Sequence, residues 1–306
     1  MQTTSTAGPS PAQSTAAPHQ IVYRTRGHGS GGPITRLMSP SDLGQVLKPF
    51  VFLDIFDAEK ALIDSMAGMP LHPHSGIATV TVLTKGALRY DDPFSGQGVI
   101  EYGGVEWMRA GMGVWHGKEM TPAPAVPRIQ GFQLWLALPS MLELAPPQSQ
   151  YLEAQHMVRA GPAHVVIGEY AGVRSLVDAP SGVNYLLVTL RGGERWTYHP
   201  PPGHTTGWLA LASGSLKVGQ PVDAGEMVVF AGDGAPVVLS AQGTEDAVFV
   251  IGSAVPHPHD LHLGSYSVHT SAQALAAGEQ RIAQLGQQLK SAGDRRTSSG
   301  TVPVYR

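Results

Sequence analysis

His72-Pro73-His74-Ser75-Gly76-Ile77-Ala78-Thr79-Val80-Thr81-Val82-Leu83-Thr84-Lys85-Gly86-Ala87-Leu88 is the stretch that decides the fold. It runs a histidine pair into a β-branched segment that ends at a glycine turn. Residues two apart on an extended chain share a face, so His72 and His74 present their imidazoles to the same side. Pro73 stiffens the link between them. Residues 79–83 read as a strand, and Ala87-Leu88-Arg89-Tyr90 as its antiparallel return across Lys85-Gly86. Two further strands follow, at residues 98–102 and 105–108, separated by Gly103-Gly104. The turn Ala110-Gly111-Met112-Gly113 then delivers Trp115 and His116. The pattern is a β-meander in which two turns present histidines.

Working outward, Pro49-Phe50-Val51-Phe52-Leu53-Asp54 reads as a buried strand, and residues 57–69 as a loop or short helix. Residues 130–138 form another strand. If Phe132, Leu134 and Leu136 pack against one layer, Gln133 and Trp135 face the other. On a barrel's inner face Gln133 would touch substrate or support the site; at an edge it would be solvated. Short apolar segments resume beyond residue 151 and again alternate with glycine turns. Leu211-Ala212-Ser213-Gly214-Ser215-Leu216 repeats the layout of Leu83-Thr84-Lys85-Gly86-Ala87-Leu88, which indicates a duplicated barrel. Thr270-Ser271-Ala272-Gln273 fits a capping box, with Leu275, Ile282, Leu285 and Leu289 at helical spacing behind it.

The expected organisation is all-β with one helix. It comprises a disordered tail over residues 1–20, a first barrel over 21–150 and a second over 151–270, then a helix over 271–290 and a tail over 291–306. The 306 residues suffice for two such domains, and 42% hydrophobic content can fill their cores. A net charge of −3 carries no basic excess of the kind direct nucleic-acid binding needs. Without cysteine there is no disulfide, no thiolate metal site and no cysteine nucleophile. The first twenty residues lack a signal peptide's basic start and apolar core, and no stretch is apolar enough to span a bilayer. A cytoplasmic protein without a membrane partner is the expectation.

Any metal must therefore be held by histidine, carboxylate or water. His72 and His74 supply a strand pair, His116 a third imidazole, and Glu119 a nearby carboxylate. Such a set suits Fe, Ni, Cu, Mn or Zn. The glycine run Gly27-His28-Gly29-Ser30-Gly31-Gly32-Pro33 lacks the Gly-Lys-Ser/Thr ending of a phosphate loop and reads as an ordinary turn. His257-Pro258-His259 repeats the opening motif without a following turn and ligand, and reads as surface or packing. His204 has no histidine partner, so the second barrel is expected to have lost its metal.

Together, His72-Pro73-His74-Ser75-Gly76, Thr79-Val80-Thr81, Gly86, Glu106-Trp107-Met108-Arg109-Ala110-Gly111-Met112-Gly113-Val114-Trp115-His116 and Gly131-Phe132-Gln133-Leu134-Trp135 resemble the pirin family of bicupins. The likeness is dense over residues 50–140 and collinear beyond, through Gly168-Glu169-Tyr170-Ala171-Gly172 and Pro202-Gly203-His204. It implies two stacked cupin barrels of jelly-roll type and one mononuclear metal, usually iron, in the first. Carried over by position, the ligands are His72, His74, His116 and Glu119. The family's glutamate lies two residues after the third histidine; here Lys118 holds that place and Glu119 follows it. A bulge would bring Glu119 into the shell, and otherwise water would leave a three-histidine site.

The resemblance also implies a function, because some pirins act as quercetin 2,3-dioxygenases. A dioxygenase taking a flavonol or related aromatic enol with O2 is the leading expectation, with Glu119 as general base and Gln133 and Trp135 lining the substrate pocket. The alternative is a metal-dependent regulatory protein that binds a transcription-related or metabolic protein partner without turnover. A roomy pocket above the metal favours the first, and a closed site beneath a flat patch favours the second.

Overall fold

Along Arg128–Ala137, Phe132, Leu134 and Leu136 are buried on one face while Gln133 and Trp135 are half-buried on the other. The strand belongs to a six-stranded antiparallel sheet. Its order is Gln148–Leu152, Val105–Arg109, Ile77–Lys85, Arg128–Ala137, Phe50–Glu59 and Ile34–Met38. A three-stranded sheet of Met120–Pro122, Ala87–Asp92 and Gly96–Glu101, and the pair His72–His74 with Val114–His116, complete the first barrel. The computed structural model describes residues 21–29, 32–66, 70–298 and 300–306. Residues 1–20, expected as a disordered tail, lie outside them.

A seven-stranded sheet and the four-stranded sheet of Arg195–Tyr198, Val237–Ala241, Ser215–Val218 and Gln220–Asp223 form a second barrel. The two large sheets lie back to back. Leu53, Val80, Phe132 and Leu134 of one share a core with Tyr185, Leu187, Trp208 and Val250 of the other. Phe50 meets Trp208 edge-on, with ring centroids 5.3 Å apart at 84°. Separate apolar clusters fill each barrel, around Phe56, Leu83 and Ile100 in the first and Leu186, Leu209 and Phe249 in the second. The outward faces of the large sheets are thereby committed to each other, and polar residues of the first are turned inward.

Four expectations need correction. Ala87–Asp92 is not the return partner of Ile77–Lys85, because Gly86, at φ +83°, turns the chain out of the large sheet into the small one. A Cβ on Gly86 would stand 2.3 Å from the Arg128 carbonyl oxygen, so the corner demands glycine. Ile21–Thr25, assigned by order to the first barrel, pairs instead with Met227–Phe230 of the second. The helix Ala272–Ser291 is capped by Ser271, whose side chain accepts from the Ala274 N–H, and not by Thr270. The segment after the helix is no free tail: Trp115 and Tyr305 exchange backbone hydrogen bonds at 2.7 Å, and the Val302 N–H donates to the Lys118 carbonyl at 2.8 Å. Thr301 and Val304 are buried.

Among the described residues no helix is long and apolar enough to cross a membrane. The interface between the sheets sets the stability of the whole. Trp208→Ala removes a fully buried ring from it and is expected to cost about 3–5 kcal/mol in denaturant unfolding.

Candidate metal centre

Strand pairing assembles the centre. His72 lies opposite His116, and His74 opposite Val114, so the strand pair carries all three imidazoles. Their ring centroids are 4.9 Å (His72 to His74), 4.6 Å (His72 to His116) and 5.0 Å (His74 to His116) apart. One ligand atom from each lies within 4.8 Å of the others, a set that could hold one metal ion.

Each ring is oriented through its other nitrogen. His72 Nδ1 lies 3.2 Å from the Pro70 carbonyl oxygen, His74 Nδ1 3.1 Å from that of Tyr266, and His116 Nδ1 2.9 Å from Glu119 Oε1. With every Nδ1 engaged by an acceptor, the lone pair falls on Nε2. His116 Nε2 is buried and, among the described residues, has no hydrogen-bond partner, as suits a metal-ligating atom. The donor set fits a borderline transition metal.

Electrostatics set His116 apart from the other two rings. Burial, followed by the charge of His116, pushes His72 down to about 4. Burial and then the neighbouring His116 and His72 hold His74 well below the ordinary imidazole range. Both rings are therefore neutral at pH 7 and keep their lone pairs. For His116, burial acts downward, but the charge and hydrogen bond of Glu119 prevail and raise it. Glu119, although buried, is brought down to about 2 by His116 and by backbone N–H groups.

Glu119 thus lies behind His116. Its Oε2 accepts the Gly117 N–H at 2.8 Å, and Gly117 sits at φ +130°, where the extra residue is absorbed. The three-imidazole set does not include it. Gln133 and Trp135 both line a cavity of about 940 Å3 that opens over the histidines. Trp135 stacks on Phe52 with centroids 4.1 Å apart and meets His74 edge-on at 4.7 Å. Gln133 Oε1 accepts from Thr81 Oγ1 at 2.9 Å. His257 approaches the Leu138 carbonyl oxygen at 3.4 Å, and His204 Nδ1 lies 2.8 Å from Ser253 Oγ.

Several wall residues carried no mark in the sequence. Tyr266 and Ser267 follow the second barrel, and Gly300 and Val302 follow the helix, yet all line the cavity. Arg36, Asp54 and Phe52 reach it from the far strands of the large sheet.

A family model described as Pirin matches residues 33–136. A pirin-like protein of Caulobacter vibrioides is 32% identical over 242 residues, spanning 76% of this chain and 86% of the relative. A Pseudomonas aeruginosa protein provisionally named quercetin 2,3-dioxygenase is 33% identical over 201 residues, 62% of this chain and 68% of its own. Among solved structures, a quercetin 2,3-dioxygenase of Acinetobacter baumannii superposes with a TM-score of 0.75 at 24% identity, covering 88% of this chain and 98% of that one. The bacterial pirin YhhW of Escherichia coli, solved in complex with nickel(II), gives 0.56 at 15% identity, covering 76% and 99%. These likenesses establish the bicupin fold.

If Glu119 orients His116 without ligating, Glu119→Gln retains about one metal per chain and weakens affinity roughly 10–100-fold. His74→Ala should lose the metal outright. Metal analysis after dialysis, with a chelator competition, checks both; loss of all metal from Glu119→Gln would return it to the ligand set.

Proposed function

The chain belongs to the pirin family, and from that footing we propose that its first barrel is a metal-dependent dioxygenase site for a flavonol of quercetin type or a related enol. The observation that carries this reading is the cavity of about 940 Å3 over the three imidazoles. Its size falls in the range of small-molecule sites, where a partner-binding surface would be flatter. The relatives named for quercetin dioxygenase support the same reading.

His72, His74 and His116 are the proposed ligands, with iron as the expected metal and nickel the second choice. When bound, the metal supplies Lewis acidity that lowers the pKa of an enol hydroxyl and open positions for oxygen chemistry.

The chain's own residues do the rest. Phe52 and Trp135, stacked 9° from parallel, offer an aromatic wall against which planar rings can pack. Gln133 has its carbonyl oxygen committed to Thr81, which leaves the amide N–H2 to donate to a substrate oxygen. Glu119 has both oxygens engaged, and we assign it the work of holding His116 in place.

Iron-, nickel- or copper-loaded protein is expected to consume oxygen as quercetin absorbance falls, and His72→Ala and His116→Ala to consume none. Trp135→Ala should raise KM more than it lowers kcat. Absence of oxygen uptake by every metal form across several flavonols would sink the dioxygenase reading.

A further inference from the structure

Glu119 being occupied, a hydroxyl bound in the cavity needs another acceptor for its proton. A hydrogen-bonded row of buried side chains leads away from the cavity wall. Ser267 lines the cavity, one residue beyond Tyr266, whose carbonyl engages His74. Ser75 Oγ donates to Ser267 Oγ at 2.8 Å and lies 3.0 Å from His269 Nε2. His269 Nδ1 in turn lies 3.2 Å from Glu143 Oε2. Ser75, Ser267, His269 and Glu143 are all at most 3% exposed.

Glu143 fixes the direction of the row. It also accepts the Thr270 N–H at 2.7 Å and the Thr270 hydroxyl at 2.7 Å, so it acts as an acceptor toward His269 as well. The proton of a neutral His269 then sits on Nδ1, and Nε2 presents a lone pair to Ser75. Burial lowers the basicity of His269 while the charges of Glu143 and, from the helix, Glu279 act against it. The helix closes tightly over the contact. A Cβ on Gly278 would stand 2.5 Å from both Ser75 Oγ and His269 Nε2.

We propose that Ser267, Ser75 and His269 form a proton relay from the cavity to a buried imidazole, which Glu143 steadies as it becomes charged. The inference rests on the reading of the cavity as an enol site. Once the Ser75 hydroxyl has turned from Ser267 to His269 Nε2, and the Ser267 hydroxyl to Ser75, the bound O–H bond breaks and its proton joins Ser267, whose own proton passes to Ser75. The Ser75 hydroxyl, with both acceptors in reach, gives its proton to the His269 Nε2 lone pair. The substrate keeps the electron pair as an anion, and nothing is oxidised or reduced. The arrangement repeats the logic of a serine–histidine–carboxylate array with the end hydroxyl used as a conductor and not as a nucleophile.

Two measurements decide it. In zinc-loaded protein carrying 15N-histidine, the rate at which His269 Nε2 exchanges its proton with solvent as the imidazolium forms and decays is read by NMR in wild type and in Ser267→Ala. A relay predicts slowing by about tenfold or more, the factor of one pKa unit. A purely structural network predicts equal or faster exchange, because the variant loosens packing, and that result overturns the relay. Separately, quercetin is bound without oxygen to wild type and to His269→Gln of equal metal content, and its anion absorbance is followed against pH. The relay predicts an anion midpoint displaced upward by about one unit in the variant; coincident midpoints overturn it. Should wild type bind no quercetin, the enol reading fails while the exchange experiment still decides the relay. Should His269→Gln not fold, Ser267→Ala serves in both arms.

Discussion

Three imidazoles can serve one cation only if each turns an unprotonated nitrogen inward, and here three acceptors on Nδ1 leave Nε2 for that role. Pro70 and Tyr266 do so with backbone carbonyls and Glu119 with a carboxylate. The Tyr266 tether reaches back across the whole second barrel, so the first barrel does not complete its own site. The same dependence recurs at Trp115, between the third histidine and the glycine turn. Its indole N–H donates to the Ile282 carbonyl at 2.8 Å, and its backbone pairs with Tyr305. A Cβ on Gly286 would stand 2.8 Å from the Trp115 ring, which is how the helix comes so near. The helix and the segment after it therefore act as a clamp on the strand that holds His116.

Much of this was legible beforehand, and the reason is periodicity. The strand alternation at residues 130–138 correctly separated Phe132, Leu134 and Leu136 from Gln133 and Trp135, and the two-residue spacing of His72 and His74 put both rings on one side. Local geometry carries such information because each residue's direction follows from its neighbours. The position of Glu119 was not legible, since it depends on how Gly117 spends its conformational freedom. Nor was the docking of residues 300–305, whose composition resembles a tail and whose order comes from pairing with a distant strand. The Ser75, His269 and Glu143 row was hidden for the same reason: its members are remote in sequence, and no spacing rule connects them.

The buried glutamates show how one residue type is assigned different work by its donors. Glu119 faces an imidazole and a backbone N–H and is brought down to about 2, a carboxylate under all ordinary conditions. Glu106, buried on the strand Val105–Arg109, accepts from the Thr81 hydroxyl at 2.7 Å, which Gln133 shares, and from the Thr81 backbone. Among the described residues its Oε1 has no partner, and burial lifts it to about 7. The signs of their contributions to stability are opposite. Glu106, raised in the folded state, stabilises fully below the unfolded value of 4.5, and that contribution is lost as pH climbs toward 7. Glu119, depressed, stabilises above 4.5, and its contribution is lost only as pH falls through about 2.

These opposite slopes bear on where a proton can rest near the centre. Glu119 is too weak a base to take one, and its lone pairs already serve His116 and Gly117. Glu106 is separated from the cavity by Thr81 and Gln133, and Gln133 cannot pass a proton onward without surrendering its amide to the imidic tautomer. His269 differs from both. Its Nε2 meets a hydroxyl that itself meets a second hydroxyl at the cavity wall, so each step is an ordinary O–H to lone-pair exchange. The chemistry of the donors, more than the distance to the histidines, thus selects the segment after the second barrel as the source of both the tether on His74 and the path for the proton.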